Sequence, residues 1–423
     1  MKRFALAAGA ALAALLIWAA IAWPREQIIP AASPEAYAAT PANIARGAYL
    51  ARAGDCMACH TARGGAEYAG GRAIETPFGS VVAPNITSDR AEGIGAWSAD
   101  DFWRALHNGK SRDGRLLYPA FPYTSYTKVT RADSDALFAF MQSVPAQPRA
   151  NAPHRLRFPY NQQPMLALWR LMYFKPGVYA PTSAQNAQWN RGAYLVEGLG
   201  HCVACHSSRN TLGASEGGLS GGMLQPLGWY APSLTSDAEA GLGSWEVPHI
   251  VDLLKTGISP RATVFGPMAE VVQESLQYLD TGDVTAMAVY LKALPAEPAK
   301  PHKMPAGPEV DQLIGQGKKL YEANCMECHG ADGKGLPPHY PPLAGNRALT
   351  MLDAVNPIRM VLNGGFAPGT AGNPRPYGMP PYAHVMNDEE VAAVVSYVRV
   401  SWGNRAPPVT GSQVNRYRAV PLD

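Results

Sequence analysis

The chain has 423 residues, enough for about three domains at roughly 150 residues each and too many for a disordered or miniature scaffold. Only 16% of them are charged, while Gly (41) and Pro (38) exceed the usual ~7% and ~5%, which predicts a loop-rich protein with few long uninterrupted elements. The net charge of +3, two charges of which belong to Lys2 and Arg3, leaves the remainder nearly balanced and excludes nucleic acid as a partner.

Phe4 to Trp23 are twenty residues without a charge, preceded by Lys2 and Arg3 and closed by Pro24. As a helix such a run spans a hydrocarbon core of about 30 Å. Cations in front of it place the rest of the chain outside the cytoplasm. The expectation is a single-pass anchor over 1–23 in the inner membrane, with the body in the periplasm. Ala20-Ile-Ala22 keeps a cleaved signal peptide open as the alternative. Met165 to Phe174 is apolar too, but short and interrupted by Arg170, and reads as an inter-domain packing helix or a docking face.

After a linker over 24–41, one unit recurs. Cys56-Met-Ala-Cys59-His60, Cys202-Val-Ala-Cys205-His206 and Cys325-Met-Glu-Cys328-His329 use every cysteine of the chain. Arg46-Gly-Ala-Tyr-Leu50 and Arg191-Gly-Ala-Tyr-Leu195 precede the first two motifs at similar distances. Downstream, Ala83-Pro-Asn-Ile-Thr-Ser-Asp89 matches Ala231-Pro-Ser-Leu-Thr-Ser-Asp237, and Gly93-Ile-Gly-Ala-Trp97 matches Gly241-Leu-Gly-Ser-Trp245. The third copy is more distant and continues as Gly330-Ala-Asp-Gly-Lys-Gly335. Helices with a 3.6 period lead into each motif, over Ile44 to Leu50, Asn190 to Leu199 and Gln312 to Asn324. Others close each unit, over Ser134 to Ser143, Gly282 to Ala293 and Asp388 to Ser401, with Asp133 and Asn387-Asp388-Glu389 as start signals. No alternating strand pattern stands out. Pro-rich stretches, above all Pro295 to Pro308, read as stiff joints. The partition is therefore a first domain over 42–150, a connector over 151–185, a second domain over 186–296, a linker over 297–308, a third domain over 309–403 and a tail over 404–423.

A C-x-x-C-H sequence is the attachment signal of a c-type haem: two thiols one helical turn apart bond the porphyrin, and the next histidine reaches the iron. Zinc would need two such pairs close together, and a disulfide leaves the histidines unexplained. Three covalent haems c are expected, on Cys56 and Cys59, Cys202 and Cys205, and Cys325 and Cys328. His60, His206 and His329 would be the proximal iron ligands. Distal ligands should follow at matched distances. Met268 stands 62 residues after His206 and Met379 stands 50 after His329, both beside proline, and a thioether there raises the potential. The first unit has Phe121 at the corresponding place, 61 residues after His60, so the distal ligand of haem one is left open among Met141, His107, Lys128 or none, with Tyr123 and Tyr126 packing nearby.

With these motifs the chain resembles the tri-haem cytochrome c subunits of membrane-bound periplasmic dehydrogenases. The resemblance is carried further by Arg191 to Cys202, Gly266-Pro-Met-Ala-Glu-Val-Val272, Tyr377-Gly-Met-Pro-Pro381, Ser401-Trp-Gly-Asn404 and Leu156-Arg-Phe-Pro-Tyr-Asn161. It implies a mainly α fold of three tandem class I cytochrome c-like domains behind one transmembrane helix. It also implies electron transfer from a large dehydrogenase subunit dependent on molybdenum, quinone or flavin, with a small iron–sulfur subunit, to ubiquinone or a terminal oxidase. Tyr118-Pro-Ala-Phe121-Pro departs from the Met-containing form of the alcohol-dehydrogenase branch and is more similar to the branch paired with molybdenum hydroxylases. Phe121 also supports a rival reading, a multihaem peroxidase-like enzyme with an open first haem.

Overall fold

A computed structural model describes residue 9 and residues 29–31, 33–225, 227–237, 240–296 and 303–420. The chain forms two compact units, one of residues up to Ala48 and His60–Ala180, the other of Tyr49–Cys59 and Pro181–Asp423. Helices dominate both. Single-pass anchoring in the inner membrane, with the body held outside it, is the expectation that is overturned: among the described residues no helix is long and apolar enough to cross a membrane. The longest, Pro308–Asn324, has 17 residues, about 25 Å of helix against a core of about 30 Å, and carries Glu309, Asp311, Lys318, Lys319 and Glu322. Apart from Gly9, the run from Phe4 to Trp23 lies outside the described residues, as do residues 297–302 of the expected linker.

Seven helices position the motifs: α1 (Pro41–Ala53), α2 (Arg131–Ser143), α3 (Ala187–Tyr194), α4 (Thr281–Ala293), α5 (Pro308–Asn324), α6 (Val355–Asn363) and α7 (Asp388–Val400). Helix α3 packs on α4, and α5 packs on α7. Three glycines make one kind of close crossing. A Cβ added at Gly47 of α1 would sit 2.0 Å from the Ala136 carbonyl oxygen of α2, one at Gly192 2.0 Å from that of Ala286, and one at Gly317 2.1 Å from that of Ala393. Only glycine lets the two backbones touch there, which explains the Arg-Gly-Ala-Tyr-Leu repeat better than helix propensity, since glycine inside a helix costs roughly 1 kcal/mol against alanine.

The cap of α2 is Thr130, whose hydroxyl accepts from the Asp133 amide; Asp133 thus stands inside the first turn rather than at the start. Its carboxylate accepts from Arg46 Nε at 3.1 Å. The counterpart in the second unit is Asp283, which accepts from Arg191 Nε and Nη2 at 2.8 and 2.6 Å and from the Tyr49 hydroxyl at 2.6 Å. Burial raises the Asp283 carboxyl, but the hydrogen bonds from Arg191 and Tyr49 outweigh it and hold the group below its ordinary value of 3.8. A carboxyl depressed in the folded state stabilises fully above its unfolded pKa, and that contribution fades as pH falls through the folded one. Asp283→Asn is therefore expected to lower the melting temperature near neutrality and to flatten its decline below about pH 4. An unchanged acid limb in a thermal-melt series would refute this.

Short strands are present where none was anticipated. Ala73–Thr76 pairs antiparallel with Gly79–Val82, with Ala73 opposite Val82, and Arg155–Leu156 adds a third strand at Gly79 and Ser80. Two to four residues are too few for an alternating pattern to be read. In the second unit Tyr321, Ile358, Leu362, Val391, Val395 and Val414 share one apolar core. Val414 comes from the expected tail, which forms a helix over Gly411–Arg418 capped by Thr410 and Gln413 and tied to Asp388 by Arg418.

Candidate haem centres

Cys56–His60 and Met326–His329 are single helical turns, the latter directly after Cys325. Cys202–Ala204 is a tighter turn, preceded by a π-type turn over Leu195–Leu199 and by His201 at φ 37°. Each still returns its histidine toward the first cysteine: the His206 amide donates to the Cys202 carbonyl at 2.9 Å and His329 to Cys325 at 3.0 Å.

A prolyl carbonyl further along the chain meets each motif histidine. His60 Nδ1 lies 2.8 Å from the Pro84 carbonyl, His206 Nδ1 2.6 Å from that of Pro232, and His329 Nδ1 3.1 Å from that of Pro341. A carbonyl only accepts, so Nδ1 carries the proton and Nε2 keeps the lone pair a metal needs. Burial depresses all three imidazoles, His206 down to about 4, so they are neutral at pH 7. Burial also pushes the Cys56 and Cys202 thiols up to about 12 and Cys325 up to about 11. A redox-active pair instead stabilises its thiolates. These prolines went unread in the sequence, although Ala83-Pro84 and Ala231-Pro232 sit in the repeated segments.

Met268 is the second residue of the helix Pro267–Glu274, and Met379 lies in the two-residue strand Gly378–Met379 paired with Gly365–Phe366; both side chains are half-buried. Gly266, at φ +56°, turns the chain into the Met268 helix. Its absent Cβ would stand 2.7 Å from Trp229, and Arg359 of α6 lies over that same indole at 4.8 Å. In the first unit Phe121 meets Tyr126 edge-on at 5.3 Å. Met141 is 1% exposed within α2. His107, fully buried, stacks on Trp103 at 4.4 Å with Nδ1 3.4 Å from Thr127 Oγ1, and burial takes it down to about 4. The Lys128 carbonyl accepts from Tyr179, and Tyr123 is fully buried.

The cytochrome c family matches at residues 44–145 and 314–402. Across nearly its whole length the chain is 41% identical to a nicotinate dehydrogenase subunit of Pseudomonas putida, covering 98% of this chain and 35% of that protein. The chain thus spans about a third of that relative. It is 37% identical to the cytochrome c subunit of a quinone alcohol dehydrogenase from Gluconacetobacter polyoxogenes, over 90% of this chain and 85% of that one. To the gluconate 2-dehydrogenase cytochrome c subunit of Pantoea cypripedii it is 39% identical, over 87% of each. The chain belongs to the cytochrome c subunits of dehydrogenases. Covalently bound haem c follows from that membership, and the residues present suit it: a cysteine pair on one turn, then a neutral imidazole whose outward nitrogen is left for iron by a prolyl carbonyl.

Proposed function

We propose that this cytochrome relays electrons singly from a partner dehydrogenase subunit to ubiquinone or a terminal oxidase, using three haem c centres in tandem. The observation that carries the number is the threefold recurrence of one arrangement, a cysteine pair with its histidine tied through Nδ1 to proline. A haem c, when bound, supplies the one-electron chemistry. The chain's part would be to hold the irons through His60, His206 and His329, with Met268 and Met379 as further donors. A partner of the molybdenum-dependent type is supported by Phe121 in place of Met, the form that the resemblance links to molybdenum hydroxylases; quinone and flavin enzymes are the other candidates, and a small iron–sulfur subunit fits the same kind of complex.

The test is reduction of the purified chain by its partner and substrate in a stopped-flow spectrometer. Haem bands that reduce with the partner's turnover support the relay; bands that stay oxidised overturn it. Met268→His and Met379→His are each expected to lower one midpoint potential by tenths of a volt, within the ~0.8 V that axial ligands span. A titration unchanged by either variant would remove that residue from the iron.

One observation favours a second activity. Phe121 has no donor atom, and Met141 is buried within α2. A first iron left open would give a high-spin signal and peroxide turnover without any partner, whereas a wholly low-spin spectrum would exclude it.

A further inference from the structure

The repeated Gly-x-Gly-x-Trp segment is not used by the ligand scheme, and in the second unit it has an unexpected neighbour. Trp245, 3% exposed, closes this segment, and the guanidinium of Arg347 lies over its ring at 5.1 Å. Arg347 comes from a different part of the chain, more than a hundred residues on. It opens the turn Arg347–Thr350, which Asn346 caps by accepting from the Ala348 amide at 3.0 Å while donating to the Pro342 carbonyl at 2.9 Å. From there Arg347 Nη1 reaches the Ser233 carbonyl at 3.1 Å. Ser233 directly follows Pro232, whose carbonyl holds His206.

The guanidinium is thus packed within one residue of the second motif's histidine anchor. Burial is sufficient to push its pKa down to about 10. Among the described residues no carboxylate stands within 4.0 Å of it, and one peptide carbonyl takes only one of its five N–H donors. The residue is half-buried rather than sealed from water, and a partly desolvated cation is stabilised by an anion at its remaining donors. Its other neighbour, the indole face, attracts the charge without neutralising it.

The geometry points to Arg347 as the counter-charge of a propionate on the haem bound at Cys202, Cys205 and His206, and so as a residue of the third segment that sets the potential of the second haem. This rests on the proposal that the second pair carries haem. The fit is chemical: a propionate carboxylate is the anion that loading would bring, and guanidinium is the side chain that meets a carboxylate with two parallel N–H bonds. The sign follows from charge. The reduced centre carries one more negative charge than the oxidised one, so a fixed cation beside it favours reduction and raises the potential. Arg347 acts here as a positioning residue, with no role as an iron ligand.

The experiment uses the full haem-loaded chain. Arg347→Met, Arg347→Lys and the parent are titrated potentiometrically with optical and electron-paramagnetic detection at several pH values. The step belonging to the second haem is the one missing from a Cys202→Ser/Cys205→Ser chain. In Arg347→Met that step is expected to move to lower potential while the others stay. The acid-side break in its pH dependence, set by propionate ionisation, should move to higher pH. Arg347→Lys should restore most of both. An unchanged step and pH profile in Arg347→Met, at parental haem content, overturns the proposal. So does a uniform shift of all steps or a loss of haem, since either marks a purely structural arginine. If the parent and the double-cysteine variant carry equal haem, the reading of the second site fails first, and this assignment with it.

Discussion

A chain in which Cys202 and Cys205 are both serine is expected to retain about two-thirds of the parent's covalent haem, because each C-x-x-C-H motif attaches one group. Haem released by alkaline pyridine treatment and divided by chain concentration measures it, and the intact mass should fall by one haem together with the two sulfur-to-oxygen exchanges. The same ratio should follow from substituting Cys56 with Cys59, or Cys325 with Cys328. If haem per chain does not change in the Cys202/Cys205 variant, the second pair holds none and the relay has two centres. The middle site is the informative one, since the family match covers residues 44–145 and 314–402 and passes over it. Its motif turn also differs in detail, with His201 in the left-handed region and a π-type turn ahead of it. The Nδ1 of His206 nevertheless makes the shortest of the three contacts to proline, 2.6 Å.

Gly192→Ala is expected to destabilise the second unit by about 3 kcal/mol, the upper part of the range for overpacking, and to lower its melting temperature by about 6–12 °C. The new methyl carbon would lie 2.0 Å from the Ala286 carbonyl oxygen and 2.8 Å from Tyr290 Cβ, so α3 must move away from α4 as a body. Gly282, inside α4, has nothing within 4 Å of where its Cβ would be. Gly282→Ala should therefore be neutral or slightly stabilising, by up to about 1 kcal/mol, through helix propensity. Equal melting temperatures for the two variants, read by the haem Soret band and by far-ultraviolet dichroism, would show that the crossing does not require glycine.

The helices flanking each motif were legible because their apolar period and caps are local. The structure starts α5 at Pro308 and α7 at Asp388, within a few residues of where the pattern places them. The haem signal was legible for the same reason, since C-x-x-C-H encodes its chemistry within five residues. The prolyl carbonyls opposite His60, His206 and His329 are backbone groups 12 to 26 residues away, and nothing in a side-chain pattern marks an acceptor of that kind. Arg347 over Trp245 is further removed still, and only the fold brings the two together. Residues 404–423 read as a tail, and within them Val414 is fully buried because Gly411–Arg418 lays one small apolar face on the core that holds Tyr321 and Ile358. The reading of an inner-membrane span used residues that lie outside the described part of the chain, and the helices that are described are too short or too polar for it.

Helix α6 grips the loop that anchors His206 in a further way: Asn356 Oδ1 accepts from the Tyr230 amide at 2.9 Å and its amide nitrogen donates to the Tyr230 carbonyl at 2.8 Å, while Arg359 covers Trp229. Nearby, Pro368 fills the space beside Gly257, and Thr370 donates to the Thr256 carbonyl. Although the motifs recur like beads, these two segments are not separable parts. Cutting after Ala296 would strip two tryptophans of their arginines and leave the Tyr230 backbone, two residues before Pro232, without its Asn356 partner. A shortened two-centre version would have to be redesigned along that seam before it behaved like the original.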